Sequence, residues 1–419
     1  MYLTSLKDCG AASRGAFDRK VLRVVTDASR RFLRGEKHVA ALILTGSIAR
    51  GEGSFIEAAD GRARLLGDVE FLLVSESPER ERAVAAGLEA ALSEALLGEG
   101  IHAPVDVGTV RPDYFDGIRP HIFGVELKAH GKVVAGDRSI MERMPEFGPR
   151  DIPRWDAIHL LFNRMVEQMI ALEGLLHGDA EDIRNAYYQN IKLTVDMGGS
   201  LLAFQRRYLT TYRERARAVE PALYFVDHAG TRERLSTLPL EVKSATAVKL
   251  NPSIDPVLSW NGTASRMDWY RRTVLRRWLD LVDRVRTLWG WEMNRHLDGP
   301  WTDETEELLQ RYLKRERLAS RMRGWAKWML RSRGKGYAPY MQLLRSFPAG
   351  SPRALIYAAA AMVYFSSPQA LAGDDGVGHV NEANRALEML PHHGKFSSSD
   401  WTSACRCVVE SWKEHVKDG

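Results

Sequence analysis

Cysteine is scarce. Cys9, Cys405 and Cys407 are the only three in 419 residues, an odd, low count that excludes a disulfide framework and suits a reducing cytoplasm. Met1 to Arg14 has no apolar h-region, so no secretory leader is expected. Long apolar runs are missing too. The most apolar stretch, Ala354 to Phe365, falls short of the ~20 residues that span a bilayer. It is expected to be a buried helix that opens at Ser351-Pro352 and stops at Ser366-Ser367-Pro368. Neither sign of charge dominates: 59 Lys and Arg stand against 54 Asp and Glu, a net +5. That mild excess suits an anionic ligand and decides nothing alone. A Gly-Lys-Ser/Thr loop and a Gly-x-Ser-x-Gly elbow are both absent, which argues against a P-loop ATPase and an α/β-hydrolase. No fixed-period repeat is seen. Cys405-x-Cys407 with His392-His393 lacks zinc-site spacing, and i and i+2 diverge on a helix.

Residues 16–34 read as a helix with Phe17, Val21, Val24, Val25, Ala28 and Phe32 near one face. Val39 to Leu44, Val69 to Val74 and Val105 to Val110 read as strands, with a helix over 79–97. Ile122 to Leu127 and Lys132 to Val134 read as a hairpin around His130-Gly131. Beyond Pro153 the pattern is helical: 154–177, 181–218, 265–297, 303–333, 352–365, 380–390 and 400–416, with a proline-bearing, less regular 220–258. The expected class is α+β, a mixed-sheet core followed by a mostly helical region. The expected blocks are 1–150, 151–255 and 256–419. Gly198-Gly199 costs ~2 kcal/mol of helix propensity against alanine, which implies a close helix crossing or a kink.

Three elements carry chemistry. Leu44-Thr-Gly46-Ser47-Ile-Ala-Arg50-Gly51 follows a strand. Twenty-one residues after Ser47 comes Gly67-Asp68-Val-Glu70, and a third acidic strand holds Asp106. Asp68 and Glu70, two apart, point to one face of a strand, and Asp106 would join them from a neighbouring strand. Oxygen ligands of this kind suit Mg²⁺ or Mn²⁺, and two such ions at ~4 Å suit in-line displacement at phosphorus. This ordered set resembles the DNA polymerase β-like nucleotidyltransferases over roughly residues 35–140, with weaker similarity into the first helices beyond 154. The resemblance implies a nucleotidyltransferase core with a nucleoside triphosphate, ATP favoured, as co-substrate. Asp68, Glu70 and Asp106 would be its catalytic metal ligands, and Gly46 and Ser47 its phosphate turn. Arg50, one turn on, would reach a phosphate oxygen. Glu70 stands where many relatives have Asp. The 53–66 connection, with a turn at Asp60-Gly61, reads as a lid or a surface insertion.

Outside that set, Gly124-Val-Glu126-Leu resembles the last strands of small-substrate nucleotidyltransferases, with Glu126 a general base or an edge-strand glutamate. Tyr188, Lys192 and Asp196 share a helix face. Lys192 would contact phosphate or pair with Asp196. Residues 311–335 hold ten Lys or Arg from Arg311 to Lys335, opposed only by Glu316. They are interleaved with Leu313, Leu318, Met322, Trp325, Trp328 and Met329. This stretch reads as a docked helix with a solvated basic face, or as a site for an RNA backbone or an anionic membrane. The acceptor is expected to be a small molecule, a protein side chain or an RNA end. The reading from another class is a nucleotide-binding module without turnover.

Overall fold

The computed structural model describes residues 11–57, 62–77, 79–260, 262–331, 343–372, 377–390 and 401–417. The protein is α+β, mostly helical, with two small mixed sheets. Its two compact units interleave along the chain. Met1–Asp156, Gln205–Ala218 and Leu240–Asn261 make the first, and Ala157–Phe204, Val219–Pro239 and Gly262–Gly419 the second. The sequence suggests consecutive blocks at 1–150, 151–255 and 256–419. The units instead take two later stretches, 205–218 and 240–261, back into the first.

In the first unit, a four-stranded sheet runs β6-β4-β1-β7. β1 (Val39–Leu44) lies antiparallel to both β4 (Val69–Ser75) and β7 (Lys132–Gly136), and β4 lies parallel to β6 (Val105–Val110). β1 and β4 are near-continuous apolar runs because the sheet is covered on both faces. Leu42, Leu44, Val69, Phe71 and Leu73 meet Val21 and Val25 of α1 (Ala11–Leu33) and Leu88 and Leu92 of α3 (Glu81–Gly98). Alternation sends Ala41, Ile43, Leu72 and Val74 the other way, onto Phe115, Ile118, Leu127 and Ile140. A second sheet of β2 (Phe55–Glu57), β3 (Ala63–Leu65) and β5 (Ile101–His102) pairs β2-β3 antiparallel and β3-β5 parallel. The base of the 53–66 connection is therefore pinned strand with Ala63 and Leu65 buried. Its Asp60-Gly61 turn lies outside the described residues.

The expected hairpin around Gly131 is half helix. Ile122–His130 forms α5, which follows the short α4 (Asp113–Gly117). A short apolar run does not distinguish strand from helix, and caps decide it. His121 Nδ1 accepts from the Gly124 amide at 2.8 Å, and Asp156 accepts from the Ile122 amide at 2.6 Å. Burial holds the His121 pKa down, against the pull of Asp156, which keeps that nitrogen an acceptor.

In the second unit, α6 (Arg154–His177) and α7 (Ala180–Phe204) lead into α8 (Tyr212–Leu223), α9 (Ala229–Arg234) and α10 (Leu238–Leu250), parts of which belong to the first unit. The helix expected over 181–218 breaks after Phe204, where Arg206 takes a left-handed φ of 60°. Gly198 and Gly199 are buried within α7, which continues through them to Phe204. α11 (Ala264–His296), α12 (Thr305–Arg315), α13 (Leu318–Arg331), α14 (Pro352–Leu371), α15 (Val377–Met389) and α16 (Trp401–Trp412) complete it. The periodicity over 303–333 is thus two helices. Phe162 stacks on Tyr357 (5.0 Å between centroids) and Trp278 lies edge-on to Tyr364 (5.3 Å) at the core.

Ser351 caps α14 as expected, its hydroxyl accepting from the Ala354 amide. Ser366-Ser367-Pro368 does not end it. Pro368 lacks the N–H that would reach the Tyr364 carbonyl, and the Ser367 hydroxyl donates to that carbonyl at 2.6 Å in its place. The helix consequently reaches 20 residues, long and apolar enough to cross a membrane by length and composition, and 78% of its apolar window is buried inside this chain.

Candidate functional site

The parallel register of β4 and β6 sets Glu70 directly opposite Asp106. Glu70, Leu72 and Val74 share one face of β4 by alternation. That face is apolar where α5 covers it and acidic at the strand's start. Asp68 stands one residue before β4, two from Glu70. Asp68 and Glu70 are half-buried and Asp106 is exposed. On the other side of Glu70, its carbonyl accepts from the Thr45 amide at 2.8 Å, which draws the Gly46-Ser47 turn alongside. Gly46 has a φ of +66°, and a Cβ built on it would stand 2.6 Å from the Glu70 carboxyl. Only glycine therefore fits both the backbone conformation and the space.

α2 (Gly46–Ala49), which follows, is a single turn, so its dipole is small. Thr45 gives it no side-chain cap, because the Thr45 hydroxyl turns to the Glu70 carbonyl at 3.3 Å. What the turn offers an anion is backbone amides and the half-buried Ser47. Glu89 on α3 accepts from the Val107 amide at 3.0 Å and so fixes β6 beside the acids.

Arg50 does not stand with the carboxylates. It is buried in a second cluster within the first unit. Its guanidinium donates to Glu126 at 2.6 Å, lies 3.7 Å from Glu52, and covers the Tyr212 ring at 4.8 Å. Glu126 also accepts from the Tyr208 hydroxyl at 2.6 Å and lies 3.6 Å from Arg215. Glu126 is therefore a helical residue clamped between two guanidiniums and a phenol, not an edge-strand residue. Glu52 accepts from the Tyr212 and Arg213 amides at 2.9 and 3.3 Å. Arg215 and Lys249 flank the Tyr212 ring at 4.5 and 4.8 Å. Burial raises the Tyr208 pKa well above that of an ordinary phenol, so it stays a donor to Glu126. This cluster braces the segment that follows the Gly46-Ser47 turn.

Lys192 lies in the second unit, 3.8 Å from Glu167. Asp196 pairs with Arg164 at 2.5 Å. In the basic stretch, Arg321 is committed to the Leu313 and Pro348 carbonyls, and Trp325 and Trp328 are buried. Arg333 and Lys335 lie outside the described residues, as do Cys9 and His392-His393. Cys405 and Cys407 are buried thiols, and burial pushes both pKa values up.

Two carboxylates directly opposite on adjacent strands repel, and a shared cation would relieve that. Among the described residues, no three His, Cys, Asp or Glu side chains stand close enough to hold a metal ion. The fit is thus to a pair, Glu70 and Asp106, with Asp68 adjacent. No family model, curated protein or solved structure matches this chain.

Proposed function

We propose that the first unit is a nucleotidyltransferase core that moves a nucleoside monophosphate from an NTP, ATP favoured, to a hydroxyl acceptor. The observation that supports it most is the register of Glu70 with Asp106, set against the Gly46-Ser47 turn. In this reading the turn amides and Ser47 hold the triphosphate. Glu70 and Asp106, with Asp68 adjacent, would hold Mg²⁺ or Mn²⁺, which would lower the pKa of the acceptor hydroxyl and neutralise the leaving group. The acceptor oxygen attacks the α-phosphorus, its proton passes to Asp106, and the bond to the β-phosphate oxygen breaks as pyrophosphate departs. A small-molecule acceptor is favoured, since the catalytic unit has few exposed aromatics among its basic residues.

The wide setting of the three carboxylates favours one second reading, a module that binds nucleotide without turnover. Thermal unfolding of the full chain with each NTP, with and without Mg²⁺ or Mn²⁺, separates them. A ligand at 100 times its dissociation constant adds ~2.7 kcal/mol. A metal-dependent shift that Asp68→Asn/Glu70→Gln abolishes supports the enzyme. A shift that needs no metal and survives that double variant supports the binding module. No shift with any nucleotide sinks both.

A further inference from the structure

The structure points to α13 as a docking surface for an anionic lipid bilayer, a role independent of the nucleotidyltransferase reading and carried wholly by the second unit. The inference rests on how this helix divides its faces. Trp325 and Trp328 turn inward, each 2% exposed and 5.1 Å apart between centroids, and the Trp325 indole donates to the Gly350 carbonyl at 2.8 Å. Those contacts fix which side looks outward. Beside that inward face Leu318, Met322 and Leu330 are 61%, 58% and 55% exposed, and they lie along one i±4 row of the helix surface. Arg323, Lys327 and Arg331, spaced i, i+4, i+8, form the adjoining stripe, and all three are exposed. Arg317 stands exposed just before the helix, and no acid occurs from Leu318 to Arg331.

Past the helix the surface is mixed: Arg331 reaches the Glu414 carbonyl at 3.4 Å, and exposed Lys413 and Lys417 flank exposed Glu414. Glu316, the acid nearest in sequence, is held by Arg321 at 3.7 Å and by the Ser351 amide at 2.7 Å.

An exposed aliphatic stripe beside a basic one matches a bilayer surface, where acyl chains take the first and anionic headgroups the second. It suits RNA less well. Single-stranded RNA is held by aromatic faces on which bases stack, and both tryptophans of this helix are buried. An RNA backbone would also leave Leu318, Met322 and Leu330 in water.

The test is co-sedimentation of the full chain with vesicles of phosphatidylcholine alone or with about 30% phosphatidylserine, at low and high salt. Two variants are compared, Leu318→Ser/Met322→Ser/Leu330→Ser and Arg323→Glu/Lys327→Glu. Both change exposed positions, and circular dichroism melts identical to wild type establish that they fold. Binding is expected to be at least about tenfold stronger to the phosphatidylserine vesicles and to be reversed by salt, unlike insertion of a spanning helix. Each variant is expected to weaken it by about tenfold or more. A labelled single-stranded RNA is titrated in parallel. Four outcomes overturn the proposal: no vesicle binding by wild type, equal binding to both vesicles, full binding by the serine variant, or RNA binding lost in the charge variant without vesicle binding. Concentration-dependent dimerisation abolished by the serine variant, again without vesicle binding, would reassign the stripe to a second copy of the chain.

Discussion

In the first unit Arg50 and Arg215 are buried against Glu126, charge against charge. In the second unit, buried Glu292 and half-buried His159 each meet a hydroxyl. Glu292 meets Ser200 at 2.8 Å, and His159 meets the Tyr312 hydroxyl at 3.1 Å. The Ser200 hydroxyl also faces the Ala157 carbonyl at 3.0 Å, and its bond to Glu292 opposes the cost of burying that carboxyl without cancelling it. Burial accordingly raises the Glu292 pKa to about 8. Burial, with Arg353 and His296 adding to it, lowers that of His159 to about 3. A buried group survives either by gaining an opposite charge or by giving up its own. The first solution makes a unit sensitive to loss of a partner, and the second makes it sensitive to pH.

The largest expected effect breaks the first solution. Glu126→Ala leaves two guanidiniums buried without their shared carboxylate and should destabilise by about 3–5 kcal/mol in urea unfolding. A loss below about 1 kcal/mol would show that the cluster is solvated and the contrast false.

The second tests the other unit and should be a few kcal/mol. Between pH 4.5 and 8 the folded state keeps the Glu292 proton and the unfolded state releases it, so stability falls as pH rises. Glu292→Gln should flatten that limb, matching wild type at pH 5 and exceeding it at pH 8. Below pH 6.5, down to about 3, the unfolded state takes up a proton that His159 refuses, so stability falls as pH drops. The two limbs overlap and offset each other from pH 4.5 to 6.5, where wild-type unfolding should therefore be most resistant. A flat profile would remove the distinction.

Gly46→Ala sharpens the comparison at the acids beside the turn. Its positive φ should cost roughly 1 kcal/mol, and its Cβ would displace the Glu70 carboxyl. Any metal-dependent nucleotide shift should vanish while the fold persists. Smallest is Asp106→Asn. It removes repulsion with Glu70 and should stabilise the metal-free protein by about 0.5 kcal/mol while abolishing the metal-dependent shift. Destabilisation would mean that Asp106 is held by contacts of its own.

The sheet's main strands were legible because an unbroken apolar run fits a strand covered on both faces. β1 and β6 match their expected bounds residue for residue. The strand carrying Asp68 and Glu70 was legible by alternation, although its register with Asp106 was not, because pairing is set by partners distant in sequence. α5 was misread because His121 is an uncommon cap and Asp156, which accepts from the Ile122 amide, is distant in sequence. The continuation of α14 through Pro368 depended on one serine hydroxyl. Tyr208, Tyr212, Arg215 and Lys249 were missed because nothing local shows that 205–218 and 240–261 return to the first unit. Arg50 read as a phosphate ligand because its burial partners are those same distant residues.

That return has a consequence for biosynthesis. Tyr208 and Arg215, which complete the setting of Glu126, are translated well after the sheet they brace, and Lys249 later still. At roughly 5–20 residues per second, the ribosome emits a sheet whose Arg50 and Glu126 wait several seconds for their ring and phenol. A fragment ending at Asp156 is frozen in that waiting state. It should bind chaperones and aggregate, whereas a chain carried through Asn261 supplies every segment of the first unit.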